Sequence, residues 1–352
     1  MYSVYMKLQN ITVNKKEKSM VEIEGEISAE VFESYRESAL RELGHGIEID
    51  GFRKGSAPQA LIEKQIPEMH ILEEMAQRAI QTIYPTILEE HDIQAIGAPA
   101  VKIKKIAKGS PLVFSLETAV IPEFKLPDYV KIAGTIKKEA GEEVSEKEIE
   151  DTLLEIRKMH GHKEAHGDQP HEHTDEEFPI PDLTDEFVAK LGDFKTVEDF
   201  KNKVKENLGL EKEGRAKSKT RAAMLEKILL ETPMEIPDLL VEYELDRFME
   251  QMKGDISRMG LTYEDYLKHL TKTEDEMRES YKADTEKKIK TEFILAEIGK
   301  VEKLEPDPVK VGEQVEGIMQ AYQNVDKLQA EAYVKNMLQN ETVIEFLESK
   351  MK

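Results

Sequence analysis

Residues 51–58 read Gly51-Phe52-Arg53-Lys54-Gly55-Ser56-Ala57-Pro58, and helical patterns on both sides make this stretch a connection rather than part of an element. Upstream, Val31, Phe32, Tyr35, Ala39, Leu40 and Leu43 recur at helical spacing behind Ser28, a residue suited to an N-cap. A helix from Ser28 to Leu43 follows. Downstream, Pro58 suits the first helical position, where a missing N–H costs nothing, and opens Ala60-Leu61-Ile62-Glu63-Lys64. Gly44, Gly46, Gly51 and Gly55 give the backbone between them access to unusual φ. One large ring and two cations thus sit on a connection with a helix at either end. Chemistry alone leaves two readings open. In one, this is an ordinary turn whose Phe tucks inward while its cations face water. In the other, it is a polyanion-docking tip, with Arg53 and Lys54 against phosphates and Phe52 supplying apolar or stacking area.

Charge restricts where such docking can occur. The 352-residue chain carries a net charge of −22, which argues against general nucleic-acid binding and hence against DNA as a partner. The imbalance is uneven. Residues 1–120 hold 14 Lys and Arg against 18 Asp and Glu, and the remainder holds 36 against 54. A nucleic-acid contact is therefore local and belongs to the first third. With 39% hydrophobic residues the chain can bury cores, and its length fits two or three units at ~150 residues each. No apolar run approaches the ~20 residues of a membrane span, and the first residues lack a signal-peptide core, so no membrane partner is expected. The absence of cysteine removes disulfides, thiol catalysis and thiolate metal sites. A cytoplasmic location is the default expectation.

The first third reads α+β, with alternating strands over Tyr2–Val13 and Met20–Ile27 and a long helix over Met69–His91, kinked at Pro85. Val101–Ala107 and Leu112–Ile121 complete four strands, closing a domain at 1–121. Residues 122–159 form a connector, with a strand over Tyr129–Lys138 and a helix over Ser145–Lys158 opened by the capping box Ser145-Glu146-Lys147-Glu148. Residues 160–182 change abruptly. His160, His162, His166, His171 and His173 stand among Gly and Pro with hardly any apolar residues, the composition of a flexible linker. The two His-x-His pairs, with carboxylates nearby, are candidates for nickel, zinc or copper. The competing reading is a solvated linker, because chelation by a floppy segment must overcome its ordering entropy and no rigid four-ligand spacing is present.

From 183 to 352 the pattern is almost wholly helical, with long helices over Val197–Leu230, from Pro237, and over Glu274–Val301. Thr262–Leu270 is short, and three short helices follow at 309–323, 326–338 and 341–350. An elongated body is expected. Nine methionines in this half (Met224, Met234, Met249, Met252, Met259, Met277, Met319, Met337, Met351) suit a surface that accepts varied apolar segments, although each fits a helical core equally well.

The basic connection, Gly51-Phe52-Arg53-Lys54-Gly55-x-x-Pro58, resembles the signature of trigger factor, the bacterial ribosome-associated chaperone family. Gly97-Ala98-Pro99, Phe114-Ser115-Leu116-Glu117, Val120-Ile121-Pro122-Glu123-Phe124 and Leu183-Thr184-Asp185-Glu186-Phe187-Val188 recur at compatible places. The likeness spans roughly residues 1–158 and 180–350. It implies an α+β N-terminal ribosome-binding domain followed by an elongated, mostly α-helical chaperone domain. It also implies that Phe52, Arg53 and Lys54 dock at an exit-site protein and rRNA of the ribosome, with Gly51, Gly55 and Pro58 shaping the tip. Nascent and unfolded polypeptides are the implied clients, held without ATP. Members usually carry a prolyl-isomerase domain of the FKBP type where this chain has its His-rich stretch, and about 20 residues cannot form one. The isomerase is therefore expected to be absent.

No Gly-x-Ser-x-Gly, His-Glu-x-x-His or phosphate-cradling loop occurs, so no cofactor and no catalytic residue is nominated. Lys102, Lys104 and Lys105 form a strand face with its lysines outward, which could assist an RNA contact. Two rival functions remain: a ribosome-independent holdase or assembly factor, able to form a homodimer through its N-terminal domain, and a peptidyl-prolyl isomerase.

Overall fold

The structure is a computed structural model that describes residues 8–45, 52, 58–166, 180–322 and 325–352. The chain clusters into two compact units, and neither is continuous in sequence. The first contains residues 1–125 with 232–294, and the second contains 126–231 with 295–352. Segments adjacent along the chain and segments adjacent in space are thus grouped differently.

The first unit is built on a four-stranded antiparallel sheet, β1 (Leu8–Lys16), β2 (Met20–Ile27), β3 (Ala95–Lys105) and β4 (Leu112–Val120), in the order β1-β2-β4-β3. One face is apolar. Val21, Ile23 and Ile27 of β2 and Leu112, Phe114 and Leu116 of β4 are buried against a helical layer. That layer contains α1 (Ala29–Glu33), α2 (Arg36–His45), α3 (Gln59–Gln65) and α4 (Glu68–Glu90). The stripe Ile71, Leu72, Met75, Ala79, Ile80, Ile83 and Ile87 of α4 faces the sheet, and Tyr84 hydrogen-bonds Thr118 beneath it at 2.7 Å. Gly97, at φ 75°, lies where β3 shifts register between Ile96 and Ala100, a backbone conformation that favours glycine. α9 (Asp238–Arg258), α10 (Tyr263–Leu270) and residues 274–294 of α11 (Glu274–Glu302) join this unit, with Asp238 paired to Lys18 at 2.8 Å.

In the second unit, α6 (Glu146–His166), α7 (Asp185–Leu191) and α8 (Val197–Leu230) enclose a core of Ile149, Leu153, Phe187, Val188, Phe200 and Val204. α12 (Pro308–Ala321) and α13 (Lys327–Ser349) form a second, smaller cluster around Val315, Ala330 and Val334. Arg221 of α8 ties in α13 by forking onto Glu348 (2.7 and 3.0 Å) and Glu341 (2.8 and 3.1 Å). Helix starts follow side-chain caps. Thr184, Thr196, Asp307 and Asp326 each accept a first-turn N–H.

Several expectations need correction. The helix expected over 28–43 is two helices, because Ser34 donates its hydroxyl to the Val31 carbonyl at 2.6 Å and turns the chain. The strand expected over 129–138 is instead α5 (Tyr129–Ala133). Asp128 caps it by accepting from the Lys131 amide, and Tyr129, Ile132 and Ala133 bury one helical face. Pro85 lies inside α4, which runs from Glu68 to Glu90 on both sides of it. The last two expected helices are one, α13: Gln339, at the expected break, donates to the Leu304 carbonyl at 2.5 Å, and the helix runs through. The His-rich stretch begins as helix rather than linker, because α6 extends to His166 and the His160 ring meets Phe187 edge-on at 5.2 Å. His171 and His173 lie outside the described residues.

Candidate functional site

The candidate tip is held between the C-terminal end of α2 and the start of α3. Pro58 is the N-cap of α3 with φ −59°, one position earlier than the sequence implied. Phe52 is 42% exposed, so its ring is not tucked into the core. Gly51, Arg53, Lys54 and Gly55 lie outside the described residues.

The two flanking helices approach closely. A Cβ built on Gly44 would lie 2.6 Å from Cδ1 of Ile62, so any side chain at 44 would force the end of that buried isoleucine to shift. At the other end of α2, the Arg36 guanidinium binds α3 and α4 together. Its Nε and Nη2 donate to Glu63 at 3.2 and 2.7 Å, and its Nη1 and Nη2 donate to the two oxygens of Glu68 at 2.7 Å each. The Arg36 side chain is only 12% exposed. Hydrogen bonding to Glu68 raises its pKa further, and the same bond holds the Glu68 carboxyl below the usual carboxylate range. Lys108 adds a second cation, 3.9 Å from Glu63 and 3.7 Å from Glu68. No local pattern marks this cluster, because its carboxylate partners lie 27 and 32 residues along the chain from Arg36.

Two of the three β3 lysines are engaged with carboxylates. Lys102 pairs with Glu117 at 3.1 Å, and Lys104 pairs with Glu24. Two residues of the same strand point toward the helical layer but escape it. Val101 and Ile103 sit opposite the buried Leu116 and Phe114 yet are 47% and 38% exposed, since the helices do not cover the edge strand. With Ala76, Ile80, Tyr84 and Pro99 they line a cavity of about 430 Å³. The alternation around these positions was legible, but their lack of cover was not.

The methionines divide. Met224, Met234, Met249 and Met277 are core residues, whereas Met259, Met319 and Met337 are exposed. Phe248 and Tyr243 of α9 and Leu328, Tyr322 and Tyr333 of the α12–α13 pair are also exposed. Lone exposed apolar residues are ordinary, but repeated large ones along helices mark surfaces able to hold apolar segments. Among the described residues, no group of three His, Asp or Glu side chains could hold a metal ion, and no helix is long and apolar enough to cross a membrane.

The family comparison matches the same two parts of the chain. Residues 9–156 match the model of the bacterial trigger factor protein, and residues 196–351 match that of the trigger factor C-terminus. The interval between them, 157–195, is shorter than the ~50 residues a domain typically needs. The trigger factor of Caldicellulosiruptor bescii is 23% identical across 90% of this chain and 89% of its own. That of Clostridium kluyveri is 23% identical across 96% and 98%. A solved trigger factor chaperone overlaps 97% of this chain and 99% of its own at 17% identity and a TM-score of 0.48, too loose an overlap to argue from. Matched over most of its length by both family models, the chain belongs to the bacterial trigger factor family.

Proposed function

We propose that this chaperone docks on the ribosome through Phe52, Arg53 and Lys54, at an exit-site protein and rRNA, with Gly51, Gly55 and Pro58 shaping the tip. The observation that carries the reading is an exposed Phe52 in a basic connection of the least acidic third of a chain of net charge −22. An aromatic ring beside two cations fits a phosphate-rich surface, while the acidic remainder repels bulk RNA. The arrangement along the chain is an N-terminal ribosome-binding domain at 1–121, a connector at 122–159, a short His-rich stretch at 160–182 and a helical chaperone domain from 183. Clients are nascent or unfolded polypeptides. They are held by weak, distributed contacts at exposed apolar side chains and released without nucleotide hydrolysis.

The protein works without prolyl-isomerase activity, since 157–195 is too short for such a domain. A protease-coupled proline-peptide assay tests this, with no turnover above background expected. Turnover that survives purification controls would overturn it. Docking is tested by co-sedimentation with ribosomes, comparing the wild type with a triple alanine variant at Phe52, Arg53 and Lys54.

A further inference from the structure

Two contacts of different character fix α3 on α2, the two helices that hold the ends of the tip. One is the Gly44–Ile62 approach, an apolar contact with no directional preference, about which α3 can turn. The other is Arg36, whose planar fork meets Glu63 and both oxygens of Glu68 with four donor bonds of 2.7–3.2 Å. A pivot and a directional lock together determine a crossing angle, which neither sets alone. The Arg36 side chain is 12% exposed and its partners Glu63 and Glu68 are 39% and 40% exposed, so the lock is half-sheltered on its cationic side. It also includes Glu68, at the start of α4, the helix whose stripe packs on the sheet. α3 is thereby referenced to the body of the first unit and not to α2 alone.

We propose that Arg36 is a positioning residue for the docking tip: through Glu63 and Glu68 it sets the direction in which the α2–α3 pair presents the connection. This rests on the docking reading above. A lysine at 36 keeps the charge but is a point donor without the fork, so it pairs with one carboxylate and releases the other. Arg36→Lys and Glu68→Gln should therefore each weaken ribosome co-sedimentation about tenfold, the equivalent of one charge-assisted hydrogen bond. Suppression of aggregation of an unfolded polypeptide should be unchanged.

The control is Ile83→Val, a buried change in α4 away from the cluster, at a temperature where all variants are folded by circular dichroism. Pelleting of Ile83→Val like the wild type, with Arg36→Lys and Glu68→Gln reduced, is the expected result. If Arg36→Lys pellets like the wild type while the triple tip variant does not, the positioning role is wrong and docking stands. Equal weakening in Ile83→Val at a matched loss of melting temperature reduces Arg36 to stability alone and overturns the proposal. Failure of the wild type to pellet overturns the docking reading, and this inference with it.

Discussion

Ile62 occupies the space that any side chain at Gly44 would fill. A Cβ there would stand 2.6 Å from its Cδ1, 3.6 Å from its Cγ1 and 3.7 Å from its Cγ2. Alanine meets only the movable end of the isoleucine and gains up to ~1 kcal/mol of helix propensity, so Gly44→Ala should be near neutral. Valine adds two methyls that the buried site cannot absorb. Gly44→Val should lower stability by about 1–3 kcal/mol in urea denaturation. Equal stability of the two variants would mean that α3 is not seated on Gly44.

Glu148 gives the second unit an acid-sensitive joint. Lys212 reaches its two carboxylate oxygens at 2.7 and 2.8 Å, and the Ser145 amide and hydroxyl each donate to it at 2.8 Å. These bonds, Lys212 foremost, bring its pKa down from 4.5 to about 2. A folded-state pKa below the unfolded one contributes stability that is present above pH 4.5 and lost as pH falls toward 2. Glu148→Gln should flatten the fall in melting temperature across that window. Identical acid limbs for the two proteins would contradict it.

Tyr129 works in the opposite sense. Burial, and then the 2.6 Å hydrogen bond it donates to Glu302, push its hydroxyl from 10 up to about 12. The raised pKa means that this contribution is whole below pH 10 and lost as pH rises through 12. Tyr129→Phe should cost about 1 kcal/mol at neutral pH. It should also remove the steepening of the alkaline limb, as followed by far-ultraviolet circular dichroism.

What the sequence made legible was periodic and local. The α4 stripe, the long helix over Val197–Leu230, the short helix at Thr262–Leu270 and the Ser145 box all stand where their patterns placed them. Errors arose where burial against distant residues, or a single side-chain turn or cap, decided the outcome. Tyr129–Ala133 became helical because its apolar face is buried and Asp128 caps it, and α6 ran on to His166, with His160 edge-on against Phe187. α13 crossed its expected break with Gln339 bound to Leu304. At the candidate site, the Phe-Arg-Lys tip was readable as composition. The Arg36 cluster depends on side chains 27 and 32 residues apart, which no local pattern reveals.

The central claim is that the basic tip docks this chaperone on the ribosome, and co-sedimentation at fixed moderate salt tests it most directly. The wild type should pellet with ribosomes, and Phe52→Ala/Arg53→Ala/Lys54→Ala, folded and of equal melting temperature, should remain in the supernatant. Equal pelleting of the two proteins would contradict docking through the tip. If neither pellets while both still suppress aggregation of an unfolded polypeptide, the chain is a ribosome-independent holdase instead.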